Sequence, residues 1–265
     1  GDDNKRLWTG TQNGLLILNK NNDLFPIQNK ITAAVGRNTV KSIYETSGKK
    51  ILLGTSQGLF VTDDNGNVLA HLDKRTGLPG NDINCIYEDK NKNIWIGFYN
   101  GGICCLCLNS NTIGKAIAFG EKDGLSNNNV MSIQSDSEHN LWISTGNGLS
   151  KFDPVKKSFS NYFIKDGIAG NTFNINSSCK TYDGELLFGG YNGITRFYPQ
   201  NIVRNNHAPR TILTGLQLFN RQISINGEDG ILKKNINLQQ TLIFHANQNI
   251  FTVNFATLNY IMLEK

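Results

Sequence analysis

The chain has 265 residues, with 18% charged and 38% hydrophobic side chains, 27 glycines and 5 prolines, the make-up of a globular protein and not of a disordered, collagen-like or disulfide-dense one. Its net charge of +5 is spread over scattered lysines and arginines, whereas a nucleic-acid binder gathers them on one face. The longest apolar runs fall far short of the roughly 20 residues that cross a bilayer, and no apolar signal-peptide core follows Gly1-Asp2-Asp3-Asn4.

From the N-terminus, "RLWTGTQNGLLILN" runs an apolar-aromatic strand into a small-residue turn ending in glycine, and a second strand leaves it. The same grammar returns in "KILLGTSQGLFVTD", "NIWIGFYNGGICCL", "NLWISTGNGLSKFD" and "ELLFGGYNGITRFY". Trp8, Leu52, Trp95, Trp142 and Leu187 occupy one column, with spacings of 44, 43, 47 and 45 residues, and Gly14, Gly58, Gly101, Gly148 and Gly193 follow six residues later. Ahead of the tryptophan column lies a shorter strand, "TVKSIYE", "INCIYED", "VMSIQSD" and "FNINSSCKTY", joined to it by polar hairpins such as Asp89-Lys90-Asn91-Lys92-Asn93. An outer strand of the type "SFSNYF" closes the unit, and loops such as "RTGLPGND", "KDGLSNNN" and "KDGIAGNT" lead into the next. A period in the forties with four short strands per unit predicts β-propeller blades; helical repeats would show apolar residues three and four apart, and none occur. The expected fold class is all-β, with five repeats of about 45 residues over residues 1–198, and Trp95 wedged between neighbouring blades.

Five cysteines are present. Cys105 and Cys107 point to one side of their strand and Cys104 to the other; the plain reading is a small buried hydrophobe, since an i, i+2 disulfide is near the limit of reach and no C-x-x-C pair or nearby histidine suggests zinc. After Phe197 the repeat stops. "YPQNIVRNNHAPR" reads as a linker over 199–209, and alternation at Ile243 and His245, and at Phe251, Val253 and Phe255, predicts strands of a partial Ig-like β-sandwich over 210–265.

These units resemble the propeller repeats of two-component regulators, the hybrid sensor kinases abundant in gut Bacteroidetes, on Leu7–Leu15, Asn93–Gly101 and Asn140–Asp153 and on the loops Thr76–Asn81, Asp123–Asn128 and Asp166–Asn171. "PRTILTGLQLFN" and "ANQNIFTVNFATLNY" resemble the opening of the Tyr-rich sandwich domain that follows such propellers. The resemblance implies the last five blades of a seven-bladed propeller and a sandwich cut short. It also implies a periplasmic position within an inner-membrane protein, signalling as a homodimer, and a membrane helix and histidine kinase outside this segment. Five blades either close as a ring or leave open edges for another chain to cover.

Lead-in loops to the innermost strands and turns between the second and third strands share one face of a propeller. Those segments carry Arg37, Asn81, Asn128, Asn171 and Phe173, and Tyr99, Asn100, Asn147, Tyr191 and Asn192. Carboxamides both donate to and accept from hydroxyls, and aromatic rings stack on apolar sugar faces, so an oligosaccharide ligand is expected, with Arg37, Arg75 or Lys165 available to a sulfate or uronate. Asparagine beside glycine is equally a plain turn former. Catalysis is not expected: glycosidases need paired carboxylates and only Asp82 is a candidate on this face, no P-loop, dinucleotide fingerprint or nucleophile elbow occurs, and neither cofactor nor metal is implied. The alternatives are a propeller acting only as a dimerisation or docking platform, and a propeller lyase or glycosidase.

Overall fold

The computed structural model describes residues 6–18, 30–107, 114–202 and 211–257. The chain divides into two compact units, Gly1–Ile202 and Val203–Lys265. Of the expected linker, residues 203–209 lie outside the described ones.

The first unit is a series of antiparallel sheets in chain order. β1 (Leu7–Thr11) and β2 (Gly14–Leu18) form a two-stranded sheet. Three complete blades follow: β3 (Val40–Glu45), β4 (Ile51–Thr55), β5 (Gly58–Thr62) and β6 (Val68–Leu72); β7 (Ile83–Glu88), β8 (Asn93–Phe98), β9 (Ile103–Cys107) and β10 (Ile117–Phe119); and β11 (Val130–Ser135), β12 (Leu141–Thr145), β13 (Leu149–Asp153) and β14 (Ser158–Tyr162). The fifth repeat has β15 (Phe173–Lys180), β16 (Leu186–Gly190) and β17 (Gly193–Phe197). Four-stranded up-and-down sheets repeated along the chain are the expected blades.

Strand periodicity explains how the blades stack. Successive side chains of a strand face opposite sides, so on β8 Ile94 and Ile96 pack toward the second blade with Leu52, Leu59 and Val61. Trp95, between them, packs toward the fourth with Val130, Ile133, Ile143 and Phe152. One blade later Trp142 does the same against Phe173, Leu186 and Phe188. Each such fully buried side chain contributes about 1.5–3 kcal/mol, and both sides of every inner blade are covered.

Two local features depart from the expected pattern. A short helix, α1 (Lys30–Val35), precedes β3; Ile31 and Val35, four apart, are fully buried against the first two blades, and Gly36 ends the helix in the left-handed region at φ 60°. In the third repeat the left-handed glycine is Gly102 (φ 68°), not Gly101, because Asn100 (φ 56°) adds one residue to the turn. A Cβ on Gly102 would come within 2.3 Å of the Phe119 carbonyl oxygen.

Cys85 and Cys104 match the plain reading of a buried small hydrophobe, whereas Cys107 and Cys179 are exposed because they stand on the outward faces of their strands. All five are free thiols; Cys85 and Cys104 are buried, and burial pushes each thiol up to about 12. Cys105, half-buried, is pushed up to about 11, chiefly by burial.

The second unit contains one described sheet, ordered β19-β18-β20, from β18 (Thr211–Leu218), β19 (Arg221–Gln222) and β20 (Phe251–Thr257). The strand expected around Ile243 and His245 is absent. There Leu242 and Phe244 turn inward onto the cluster of Leu216, Leu218 and Ile231, Ile243 is 74% exposed, and the His245 amide donates to Gln248 Oε1 in a turn. The alternation was real, but its inward parity is the opposite one and the segment pairs with no strand.

Candidate binding face and axial cluster

Backbone hydrogen bonds stitch the lead-in loops to the turns between second and third strands. The Thr39 hydroxyl donates to the Gln12 carbonyl at 3.0 Å, and Ser56 N donates to Thr39 O at 3.0 Å. Tyr99 N donates to Asp82 O at 2.9 Å, and Gly102 N and Gly146 N donate to Asn128 O and Asn129 O, both at 2.8 Å. Gly148 N donates to Asn171 O at 2.6 Å and Tyr191 N to Thr172 O at 3.3 Å. Of these bonds, Thr39–Gln12, Gly102–Asn128 and Gly148–Asn171 cross between blades and the others join loop to turn within a blade, so the two sets of segments share one rim.

The proposed contact residues divide into groups on this rim. Tyr99 and Tyr191 are 52% and 77% exposed, on the third and fifth blades. Asn100, Asn147 and Asn192 are exposed on their turns, with Asn192 packed where a side chain on Gly170 would stand. Asn81, Asn128 and Asn171 form a column: their Oδ1 atoms accept from the amides of Lys74, Glu121 and Ile164, at 2.8, 2.9 and 2.9 Å. Each carboxamide thus holds the 3-10 turn seven residues before it, and Nδ2 is what it can offer outward. Asn100 and Asn128 meet in a shallow hollow with Pro79, Phe119, Glu121 and Lys122.

Phe173 needs correction as a contact residue. It is 2% exposed and lies edge-on to Phe188, with ring centroids 6.2 Å apart, because the first residue of each inner strand points into the stack of blades. Arg37 is exposed on the loop after α1. Arg75 is drawn back to Asp73, at 2.7 Å, and this guanidinium holds the Asp73 carboxyl below the usual range; Lys165 Nζ sits 6.0 Å from the Phe163 ring centroid.

A second group of residues gathers on the inner strands. β3, β7 and β11 each slip register by one residue, at Lys41, Asn84 and Met131, and β15 slips over Asn174–Ser177. The extra residue of a bulge is re-aimed out of the sheet. Lys41 Nζ lies 2.6 Å from Asp82 Oδ1, donates to Asn84 Oδ1 at 3.1 Å and stands 5.8 Å from the Tyr99 ring centroid. Asn84, fully buried, donates through Nδ2 to Val130 O at 2.8 Å and Asn129 Oδ1 at 3.3 Å. From the fifth blade, Asn176 Nδ2 donates to Lys41 O at 2.8 Å and Asn84 O at 3.0 Å. Three inner strands are thus tied together by polar side chains. Turn chemistry did not point to Lys41, Asn84 or Asn176; aligning the inner strands on "TVKSI", "DINCI" and "NVMSI" would have, since Lys41, Asn84 and Met131 share a column between apolar ones.

Residues 77–100 and 124–147 match the two-component regulator propeller family. Both stretches run from a lead-in loop through the inner strand to the turn beyond the tryptophan. Both stretches are similar to two-component regulator propeller repeats. Over 98% of its length the chain is 29% identical to histidine kinase P4 of Formosa agariphila, of which it spans 16%. Among solved structures, it is similar in fold to the extracellular domain of a protein assigned to the hybrid two-component systems of B. thetaiotaomicron, with TM-score 0.60 and 16% identity over 96% of this chain and 47% of that one. The β-propeller domain of Cps50 (Swd1) from Myceliophteria thermophila also matches, with TM-score 0.56 and 13% identity over 77% of this chain and 65% of that one. The repeated four-stranded sheets and these likenesses make the first unit a set of β-propeller blades, two of which match the two-component regulator propeller model.

Among the described residues, no group of three or more His, Cys, Asp or Glu is placed to hold a metal ion, and no helix is long and apolar enough to cross a membrane.

Proposed function

We propose that this chain is part of the extracytoplasmic, ligand-sensing region of a hybrid two-component sensor, periplasmic in location and non-catalytic itself. Its cue is an oligosaccharide released during polysaccharide breakdown. The observation that carries this reading is the rim: carboxamide-bearing turns of successive blades are hydrogen-bonded into one face that also exposes Tyr99 and Tyr191. Amides supply donors and acceptors to hydroxyls, and the two tyrosines supply flat apolar surface. Support for the setting comes from the two matched regulator repeats and from the 29% identity to a histidine kinase. The bound sugar acts by linkage, favouring one arrangement of paired sensors by its differential affinity for the two. Asp82 pairs with Lys41 and not with a second carboxylate, which fits binding better than glycoside hydrolysis.

A thermal-shift screen of the 265-residue chain against oligosaccharides tests the reading. A neutral or mildly acidic glycan is expected to raise the melting temperature, and joint substitution Tyr99→Ala with Tyr191→Ala to abolish the shift while circular dichroism stays unchanged. A flat response across arabinan, xylan, mannan, glucan and pectin fragments would sink it. The docking-platform reading draws on exposed Leu7 and Leu16 on the first sheet and Ile175 and Ile194 on the fifth; it predicts that flat response together with concentration-dependent self-association in sedimentation velocity.

A further inference from the structure

We propose that the axial group of Lys41, Asp82 and Tyr99 is where the propeller grips its sugar, taking two adjacent hydroxyls of a neutral ring; this rests on the oligosaccharide reading above and assigns it to one place.

The donor and acceptor count of the group defines what fits. An ammonium has three hydrogens to give; Lys41 gives one to Asn84 Oδ1 at 3.1 Å and is ion-paired with Asp82 Oδ1 at 2.6 Å, which leaves a hydrogen for a ligand. A carboxylate only accepts, and offers about four lone-pair sites. Among the described residues Lys41 alone reaches the Asp82 carboxylate, and no aligned hydrogen bond meets its Oδ1. With Oδ1 buried, Oδ2 is the carboxylate oxygen left to a ligand, and the pair presents a charged donor and a charged acceptor side by side. Hydroxyls on neighbouring ring carbons are the complement, one accepting from Lys41 and the other donating to Asp82, and hydrogen bonds to charged groups are the stronger kind.

Access and support are both present. The side chains of Lys41 and Asp82 are 21% and 34% exposed, open enough to meet a ligand yet partly desolvated. Tyr99, whose amide donates to Asp82 O, is half exposed beside them and offers a ring to the apolar face of the same sugar. Asn84 is fixed by two hydrogen bonds to the fourth blade, and Asn176 clamps the backbone of Lys41 and Asn84. The gripping groups are thus held by neighbours that take no part in the contact, as a preorganised site requires. An acidic sugar is disfavoured, since its carboxylate would face that of Asp82 while Lys41 is already paired with it.

Isothermal titration calorimetry of the 265-residue chain with neutral arabino-, xylo-, manno- and gluco-oligosaccharides, and with oligogalacturonates as the acidic counterpart, decides the matter. A neutral oligosaccharide is expected to bind, with affinity falling at least tenfold in Asp82→Asn and in Lys41→Met, partly recovered in Lys41→Arg, and unchanged in Val155→Ala on an exposed outer turn. Circular dichroism melting checks that the variants fold, and if an axial substitution unfolds the chain, half-exposed Tyr99→Ala carries the same tenfold expectation. Binding that survives Lys41→Met and Tyr99→Ala, or that is confined to oligogalacturonates, overturns this assignment and leaves oligosaccharide sensing standing. Silence across the whole panel overturns both.

Discussion

The third and fourth blades differ from the second and fifth in how they close the hairpin before the tryptophan column. In the fourth blade Asp136 Oδ1 accepts from the amides of Glu138 and Asn140, at 3.0 and 2.9 Å, and Oδ2 accepts from Asn140 Nδ2 at 3.1 Å and from Trp142 Nε1 at 3.0 Å. Asp89 repeats this with Asn91, Asn93 and Trp95, the indole bond being 2.9 Å. In the second blade Thr46 stands in the aspartate's place and Leu52 in the tryptophan's; the hydroxyl accepts from the Lys50 amide, at 3.1 Å. In the fifth, Thr181 accepts from the Glu185 amide at 2.9 Å and Leu187 follows six residues on. The two positions are chosen together. An indole buried between blades brings an N–H that must be satisfied, and the hairpin aspartate supplies the acceptor; a leucine brings none, so a threonine that serves the backbone is enough. Sequence alone shows the same step at Asp2 and Trp8.

The largest effect that could break this comparison is loss of the indole. Trp142 is fully buried, tilted against Phe197 at 4.7 Å between centroids and stacked on Tyr162 at 5.4 Å. Trp142→Ala is expected to cost about 3–5 kcal/mol, the range for large aromatic truncations, read as a lower urea midpoint by circular dichroism. Asp136→Ala should follow at about 2–3 kcal/mol. It removes charge-assisted bonds, which count for about 1.5–3 kcal/mol, strands the indole N–H, and leaves Lys151, whose Nζ lies 3.4 Å from Asp136, with Glu138 at 3.9 Å. A loss below about 1 kcal/mol for Asp136→Ala would mean that the aspartate shapes the hairpin without securing the tryptophan.

The parts of the fold legible in the sequence were those where chemistry repeats. Tryptophan or leucine followed six residues later by glycine recurs in all five units because each blade fills the same wedge, and in four of them that glycine (Gly14, Gly58, Gly148, Gly193) is the left-handed one of the same turn. The Gly101 register was missed since "YNGG" offers two glycines, and only the extra residue Asn100 decides between them. The Ile243 strand failed on parity: alternation says that two faces exist, not which is inward. On the rim, the Asn81, Asn128 and Asn171 column was visible as polar, but its tie to the turn seven residues upstream exists only in three dimensions. The axial residues were hidden for another reason. Bulge positions carry no periodic signal, and Lys41, Asn84 and Met131 have nothing in common but their place.

A smaller effect sharpens the comparison by moving one blade's solution into another. Asp136→Thr with Trp142→Leu gives the fourth blade the pairing of the second. If the two positions are matched, the double variant loses less than the two single variants added together, by about 1 kcal/mol, within the range for residues sharing a hydrogen bond. Strict additivity in a double-mutant cycle would show that the indole bond contributes nothing of its own.

The smallest effect belongs to the blade that lacks the lock. Thr46 is buried, and its hydroxyl holds one backbone amide, so Thr46→Ala should cost only about 0.5–1.5 kcal/mol, the net worth of a neutral hydrogen bond. Leu52, fully buried, asks nothing of it, so Thr46→Ala and Leu52→Val should add without coupling. Coupling there as large as in the fourth blade would mean that the hairpin and the wedge communicate through the strand itself. The aspartate would then be a refinement of a link that every blade already has. Additivity in the second blade beside coupling in the fourth is what the hydrogen-bond geometry requires, since in the fourth, unlike the second, one side chain touches both elements.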